Sequence, residues 1–370
     1  MVINLGQSHG VREAMALETG TLSPGSCRVG ARSAGRASRA ETYADPMSRR
    51  RARGLLRGLV AGVMIGVFTS TTLIAAVYDA QTARPTPAPA GLHFVRTGSY
   101  LTRYQSWGPA TSATPVVLIH GAFESVGYWA PVARILSRST HVEAYDLEGY
   151  GYSQRLGPYN APALVAQLYD FLHARHLRHV VLVGHSLGAG VIANFVLAHP
   201  HVAAGIVFLD GDGLSESFGA ATMLKWIPTL YTTALYRFAV RDDSLVSFIF
   251  RQACGPQCPP VTPAVLSMVE RPFEVSGAES ALLAYAGEPI IGVSAAQLSQ
   301  IGASGLAARV IFGSSDPVFS ARTPEQTAHR LHAPPPELIA GAGHLTLWSR
   351  PGAVARDIAT FVVDVGTRGR

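Results

Sequence analysis

The sequence predicts an α/β protein built on a mostly parallel β-sheet with helices on both faces. Three observations lead to this fold class: short and almost fully apolar segments recur, helical segments follow them, and polar residues stand where the apolar segments end. Strands that are apolar throughout are typical of sheets covered on both faces, and their alternation with helices is typical of parallel connections. Ligands bind at the carboxyl ends of such strands, so the polar residues there are the candidates for function.

The N-terminal part of the chain precedes this pattern and differs from it in composition. Residues 1–46 are rich in Gly, Ala, Ser and Arg without apolar periodicity, and we expect them to be disordered. Residues 47–78 place an arginine-rich flank before the uncharged run 58–77, which is the layout of a signal anchor or signal peptide. Such a run is just long enough to cross a hydrocarbon core of ~30 Å. Residues 79–91, with alternating prolines, predict a stiff linker.

The targeting layout also predicts where the protein works. Met47 opens it, so we expect translation to start there. The arginines are expected to stay inside, which puts the remainder outside, either membrane-anchored or, after cleavage of the segment, secreted. Residues 1–57 contain ten arginines and four acidic residues, which accounts for the whole net charge of +6. The globular part is therefore neutral, and nothing in its charge suggests binding to nucleic acid.

Eight strands are predicted in the globular part, at 92–96, 100–106, 115–119, 142–145, 179–184, 205–209, 309–312 and 337–340. The first two alternate apolar and polar residues around a turn at Gly98, which predicts an antiparallel pair at one edge of the sheet. The other six are mostly apolar and predict the parallel part. Helices are predicted at 126–137, 161–177, 187–199, 324–331 and 350–365.

Residues 213–305 interrupt this alternation after the sixth strand and predict a helical cap between the two core segments 92–212 and 306–370. Its apolar side chains are expected to pack against the core, and some of them to line a substrate pocket: Met223, Leu224, Trp226, Ile227, Leu230, Tyr231, Tyr236, Phe238, Phe248, Ile249 and Phe250. Cys254 and Cys258 flank a short turn there, and their spacing leaves open whether they form a disulfide.

Ser186 lies between Gly184 and Gly188, after an apolar strand and before an apolar helix. Glycine at both positions permits a sharp strand-to-helix turn in which a larger side chain would clash. This turn would expose the serine hydroxyl at a helix N-terminus, where N–H groups stabilise negative charge. Ser186 is therefore the predicted nucleophile, and it needs a base because a free hydroxyl is a weak nucleophile at neutral pH.

The predicted base and acid follow the last two strands. His344 lies in a glycine-rich loop that can bring its imidazole over the serine, and Asp316 would orient that imidazole and stabilise its charged form. Asp210, after the sixth strand, is the alternative acid, and Asp212 stands beside it. Asp146 is expected instead to hold its own glycine-rich loop through hydrogen bonds.

Taken together, these motifs resemble those of the α/β-hydrolase family over about residues 92–366. The matching segments, in chain order, are His120-Gly121, Asp146-x-x-Gly149-x-Gly151-x-Ser153, Gly184-x-Ser186-x-Gly188, Asp316 and Gly343-His344. The order Ser, Asp, His is also the order in that family. The resemblance implies the α/β-hydrolase fold, with a mostly parallel eight-stranded sheet flanked by helices and a helical cap inserted after strand 6.

The resemblance also implies an oxyanion hole and a reaction. Backbone N–H groups of Ala122 and Leu187 would form the hole, with Phe123 as an alternative to Ala122, while His120 would brace its loop. A serine nucleophile implies an acyl-enzyme, most directly in a carboxylesterase or lipase acting on esters with an apolar part. Epoxide hydrolases and haloalkane dehalogenases place aspartate at this position, so Ser186 argues against both.

Other functions stay open on this reading. The same triad serves C–C bond hydrolases, peptidases, thioesterases, haloperoxidases and acyltransferases, and a membrane-tethered binding protein could keep the fold without the chemistry. We expect no metal or organic cofactor. The expected partners are a small ester or lipid-like substrate and a membrane contacted by residues 58–77, and the sequence does not predict the oligomeric state.

Overall fold

The computed structural model describes residues 46–109, 112–215, 228–286 and 288–368. The chain divides into two compact units, Met1–Thr71 and Thr72–Arg370. Helix α1, Pro46–Thr82, begins in the first unit and ends in the second. Its segment Arg53–Thr82 is long and apolar enough to cross a membrane, by length and composition. The helix extends beyond the predicted run 58–77 at both ends, because the residues flanking this run also favour helix.

The described part of the second unit contains one eight-stranded sheet with the order β1-β2-β4-β3-β5-β6-β7-β8. The strands are β1 His93–Thr97, β2 Tyr100–Trp107, β3 Val116–Ile119, β4 Val142–Tyr145, β5 Val180–His185, β6 Ala203–Leu209, β7 Ala307–Gly313 and β8 Glu337–Ile339. Strand β2 pairs antiparallel with both β1 and β4, and all other neighbours are parallel. The predicted fold class is confirmed.

Helices cover both faces of this sheet or form the insert. They are α2 Ala130–Leu136, α3 Ala161–Ala174, α4 Leu187–Ala198, α5 Thr229–Ala239, α6 Asp243–Cys254, α7 Pro263–Glu274, α8 Ala278–Tyr285, α9 Ala295–Ala303, α10 Thr323–Arg330, α11 Thr346–Ser349 and α12 Pro351–Arg368. The predicted helix 126–137 is split into a 3₁₀ turn, Val126–Trp129, and α2. Helix α12 begins at Pro351, whose fixed φ and missing N–H suit the first position of a helix.

Strand β3 shows why the sheet is buried on both faces. Its side chains alternate between the faces, and all four are fully buried. Val117 and Ile119 join the apolar core under α3 and α4. Val116 and Leu118 join the second core, under α2 and α12. Burial of each such side chain contributes about 1.5–3 kcal/mol, which explains why the strand has no polar residue.

The insert between β6 and β7 comprises the cap helices α5 to α8, followed by α9. Helix α9 falls inside the predicted cap range 213–305, but its Leu298 and Ile301 are buried in the core with residues of α4. A parallel connection between neighbouring strands needs a crossover helix on the sheet face, and α9 fills this role. Met223, Leu224, Trp226 and Ile227, which we predicted as cap residues, lie outside the described residues.

The end of α1 and the start of the predicted linker 79–91 contact the cap. Arg237 of α5 donates to the carbonyl oxygen of Asp79 at 2.8 Å and to Glu279 Oε2 at 3.1 Å. The Thr86 N–H donates to the carbonyl oxygen of Glu274 at 2.9 Å. The helix runs to Thr82, so the extended part of the linker is shorter than the sequence suggests. Asp79 ties the end of α1 to α5, and Thr86 ties the extended part to α7.

The raised pKa of Glu270, on helix α7, leads us to expect that the stability of the protein depends on pH. Burial, together with the nearby charges of Asp243, Glu274 and Asp242, raises the pKa of Glu270 to about 7. The folded chain therefore holds this proton over a pH range where the unfolded chain has lost it, so its contribution to stability falls as the pH rises through that range. We expect Glu270→Gln to raise the free energy of unfolding by about 1 kcal/mol above pH 8 and to change little near pH 4, allowing for solvent screening.

Thermal unfolding at the two pH values tests this expectation. Glu325→Gln, on helix α10, is the matched control. A gain of the same size at both pH values, or in the control as well, would contradict the assignment of the effect to Glu270.

Candidate active site

Ser186 occupies a strained turn between β5 and α4. Its backbone has φ 49° and ψ −113°, and non-glycine residues rarely adopt such a positive φ. A Cβ at Gly184 would collide with the backbone of Gly188, and a Cβ at Gly188 would collide with the carbonyl oxygen of Ile119. The Ser186 N–H donates to the carbonyl oxygen of Leu209 at 2.9 Å. Close packing of the two glycines and this bond to β6 hold the turn in place.

The structure brings Ser186, His344 and Asp316 into one chain of hydrogen bonds. His344, in the loop between β8 and α11, has its Nε2 3.0 Å from the Ser186 Oγ. Its Nδ1 lies 2.9 Å from Asp316 Oδ2, in the loop after β7. A carboxylate can only accept, so Nδ1 carries the proton and Nε2 is left to accept the serine hydroxyl. The Asp316 Oδ1 accepts from Val318 at 2.7 Å and from Phe319 at 3.2 Å, which fixes the carboxylate.

Asp210, the alternative acid, has other partners. It is fully buried after β6, where its Oδ1 accepts the Gly313 N–H at 2.8 Å. Its Oδ2 accepts the N–H of Thr346 at 3.2 Å and the hydroxyl of the same residue at 2.5 Å. Asp210 thus ties β7 to the segment after His344. Asp212 accepts a backbone N–H two residues further on, in a turn at the start of the insert.

Two backbone N–H groups adjoin Ser186 or the neighbouring Gly121, at the positions that the family resemblance assigns to an oxyanion hole. Leu187 is the first residue of α4, so its N–H has no acceptor within the helix. In the described parts of the chain, the N–H groups of Leu187 and Ala122 donate to no protein acceptor. Gly121 brings its loop close, since a Cβ there would lie 3.1 Å from the Ser186 Cβ. Phe123, the predicted alternative donor, has φ 63° and a half-exposed side chain.

Two other predicted motif residues hold loops. The His120 Nδ1 donates to the carbonyl oxygen of the next residue at 2.7 Å, and its Nε2 accepts the Leu147 N–H at 2.9 Å. Burial lowers the pKa of His120, which agrees with this neutral tautomer. Asp146 accepts the N–H groups of Val126 at 2.6 Å and Tyr152 at 2.8 Å. It therefore holds its own loop, and also the 3₁₀ turn after β3.

The cap contacts this site through two groups. In the first, Tyr285 of α8 lies 4.5 Å from Tyr150, measured between ring centroids, and Tyr150 lies 6.5 Å from the ring of Phe123. In the second, the Gly343 N–H donates to the carbonyl oxygen of Cys254 at 3.0 Å. Cys254 and Cys258 form a disulfide at the end of α6, a pairing that the sequence left open. The cap thus abuts both the loop after β3 and the loop that carries His344.

Sequence reasoning missed two charged residues directly behind the serine. His185 is the last residue of β5, and both its side chain and that of Glu124 are buried. The His185 Nδ1 lies 2.9 Å from Glu124 Oε1. The available signal was a histidine and a glutamate inside two otherwise apolar motif segments, where a charge needs a partner. Among the described residues, no group of His, Cys, Asp or Glu suits a metal ion.

The chain is similar to several known proteins. A family model described as alpha/beta hydrolase fold matches residues 114–351. Ethanol acetyltransferase 1 of Cyberlindnera fabianii is 29% identical over 122 residues, which cover 32% of this chain and 36% of that enzyme. The 2-hydroxy-6-oxo-2,4-heptadienoate hydrolase of Pseudomonas putida is 36% identical over 146 residues, which cover 37% of this chain and 52% of that enzyme. The chain thus spans only about a third to a half of the length of these curated relatives.

A similar solved structure is that of a bacterial membrane phospholipase A. It superposes with a TM-score of 0.60 at 21% identity, and the match covers 86% of this chain and 99% of that one. At this level of sequence identity, the similarity shows that the two proteins share a fold.

Proposed function

Because this chain belongs to the α/β-hydrolase family, we propose that it is a serine hydrolase acting through an acyl-enzyme on carboxylic esters with an apolar part. The observation that carries the proposal is the continuous chain of hydrogen bonds from Asp316 through His344 to Ser186. The backbone N–H groups of Ala122 and Leu187 beside it suit the developing negative charge of an acyl transfer.

In this mechanism the Ser186 Oγ attacks the ester carbonyl carbon while the His344 Nε2 takes the hydroxyl proton. Asp316 stabilises the imidazolium, and the two N–H groups stabilise the oxyanion. The intermediate collapses when the C–O bond to the alcohol breaks and His344 returns the proton to the leaving oxygen. Water then attacks the acyl-enzyme with the same proton shuttle, which releases the carboxylic acid and restores the serine.

The surroundings of the serine support a substrate with an apolar part. Phe123 on the loop after β3 and Val318 beside the proposed acid expose 45% and 50% of their surface. An exposed apolar surface near a site is typical of ligand recognition. The similar structure of a membrane phospholipase A supports lipid-like esters in particular.

We also propose that α1 anchors the enzyme in a membrane, with residues 47–78 as a signal anchor and the α/β part on the extracytoplasmic side. The length and apolar composition of Arg53–Thr82 support this placement. So does the arginine-rich flank before it, because basic residues are retained on the cytoplasmic side. In this arrangement, 92–212 and 306–370 form the core, and 213–305 contain the cap and the crossover helix α9.

Two relatives favour alternative reactions on the same triad. The partial match to a heptadienoate hydrolase supports hydrolysis of a C–C bond next to a carbonyl group. The partial match to an ethanol acetyltransferase supports acyl transfer to an alcohol instead of water. Both would start from the same nucleophile, so the substrate rather than the triad distinguishes them.

A substrate panel on the full-length detergent-solubilised protein tests the proposal. We expect a fluorophosphonate probe to label Ser186 and nitrophenyl esters to be hydrolysed faster than thioesters, peptides or a vinylogous 1,5-diketone. Adding ethanol tests for ester products of acyl transfer. The fastest turnover on the diketone, or ester synthesis exceeding hydrolysis in dilute ethanol, would replace the proposed reaction with one of the alternatives.

A further inference from the structure

A buried cluster of charge lies directly behind the serine, and the mechanism above does not use it. His185 has no exposed surface. Its Nδ1 lies 2.9 Å from one carboxylate oxygen of Glu124 and 3.1 Å from the other. Its Nε2 lies 2.8 Å from the carbonyl oxygen of His344 and 3.6 Å from Asp210 Oδ2. Each ring nitrogen therefore has its own hydrogen-bond partner.

The partners determine the protonation state of His185. The carbonyl oxygen of His344 can only accept a hydrogen bond, and so can an ionised Glu124, so both ring nitrogens must carry protons. The groups facing the ring are Glu124, Asp210, His120 and His344. Burial alone would lower the pKa of His185, but the carboxylates of Glu124 and Asp210 raise this pKa well above its ordinary value.

Glu124 is held in its charged form by the same contacts. Burial alone would raise the pKa of Glu124, but the attraction of His185 and the N–H of Gly121 together lower this pKa. The Gly121 N–H donates to Glu124 Oε2 at 2.8 Å. A lone buried charge would be costly, so the two residues depend on each other for their ionised forms.

The cluster joins two loops that are far apart in the chain. On one side, Glu124 holds Gly121, which precedes Ala122 and its N–H group. On the other side, His185 holds the backbone of His344. We propose that His185, as a buried imidazolium paired with Glu124, is a positioning residue that sets the proposed base and the proposed oxyanion donors in register around Ser186. This role rests on the proposed function.

With Glu124 ionised, only the charged ring can make both contacts, because a neutral imidazole has a single N–H. That N–H would serve either Glu124 or the carbonyl oxygen of His344, and the other contact would be lost. A shift of the base by about 1 Å can cost about a hundredfold in rate. Backbone hydrogen bonds of the neighbouring Gly343 and Leu345 also hold this loop, but the bond from His185 is the one made to His344 itself.

Two substitutions separate the two contacts. In His185→Asn the amide nitrogen takes the place of Nδ1, so the bond to Glu124 is kept and the bond to His344 is lost. In His185→Gln the amide nitrogen takes the place of Nε2, so the bond to His344 is kept and Glu124 is left without its cation. We expect the Asn variant to lose about 10- to 100-fold in kcat for ester hydrolysis with little change in KM.

The Gln variant is expected to behave in the opposite way. Its melting temperature should fall more than that of the Asn variant, because an unpaired carboxylate is buried, while its kcat should stay closer to that of the parent enzyme. If it does not fold, the double variant His185→Gln/Glu124→Gln removes the unpaired charge and should restore the melting temperature.

A matched control is His141→Asn. His141 pairs with Glu143 at 3.0 Å at the amino end of β4, whereas Ser186 follows the carboxyl end of the parallel strand β5. It should lower the melting temperature without changing kcat. Equal kcat values for the Asn and Gln variants, or losses of kcat that only follow the losses of stability, would overturn the positioning role. Activity that survives Ser186→Ala would instead overturn the proposed function.

Discussion

Replacing Ser186 with alanine is expected to lower kcat for ester hydrolysis by about 10⁶-fold, the size of loss seen when a triad nucleophile is removed. The physical reason is that no acyl-enzyme can form, so only the binding groups and the N–H donors remain to assist water. The fold should persist, since the serine side chain caps no helix and alanine faces the same strained φ. Steady-state hydrolysis and fluorophosphonate labelling of the full-length protein measure the effect.

Ser320→Ala is the control for this substitution. Ser320 lies before α10 and bonds with Thr323 at 2.9 Å, so its loss should leave labelling and kcat unchanged. A Ser186→Ala protein that keeps more than about 1% of the parent kcat would contradict the acyl-enzyme mechanism. That result would favour a function of the protein that does not use Ser186 as a nucleophile.

Replacing Asp316 with asparagine is expected to lower kcat by about 10⁴-fold. The asparagine amide can donate to the His344 Nδ1, which favours the tautomer whose Nε2 carries the proton and cannot accept from Ser186. It also removes the charge that stabilises the imidazolium. The loss should appear in kcat more than in KM, because the interaction strengthens in the transition state.

Asp210→Asn is the comparison that separates the two candidate acids. Asp210 accepts hydrogen bonds from Gly313 and Thr346, so its replacement should reduce stability. We expect its loss of kcat to be far smaller than that of Asp316→Asn. A larger loss in Asp210→Asn, measured on folded protein, would make Asp210 the acid and contradict the proposed triad.

Much of the fold could be predicted from the sequence because its signals are local. The four apolar residues of β3 have to be buried on both faces, and this requires helices on each side. Strand ends were predicted less well: β6 begins at Ala203 and β7 at Ala307, each two residues earlier than predicted. These strands start earlier because backbone pairing with the neighbouring strand extends to these residues. The hydropathy of one strand contains no information about how far its neighbour extends.

Other features depended on contacts between distant parts of the chain. Helix α9 looked like cap in the sequence, because apolar residues pack equally well in a cap or against a sheet. Only the crossover between β6 and β7 places it in the core. The contact of Arg237 with Asp79 and the disulfide between Cys254 and Cys258 are likewise decided by geometry that residue spacing does not contain.

The sequence by itself determined the fold class and the serine between two glycines, because a sharp turn depends on residue types within five positions. Only the tertiary structure decided which of the predicted polar groups meet at that turn. In the folded protein His344 bonds to Asp316, whereas Asp210 accepts hydrogen bonds from Gly313 and Thr346. It also placed His185 and Glu124, which the sequence reading had passed over, behind the serine. The reason is that parallel strands gather their carboxyl ends at one edge, so residues far apart in the chain become neighbours only when the sheet has formed.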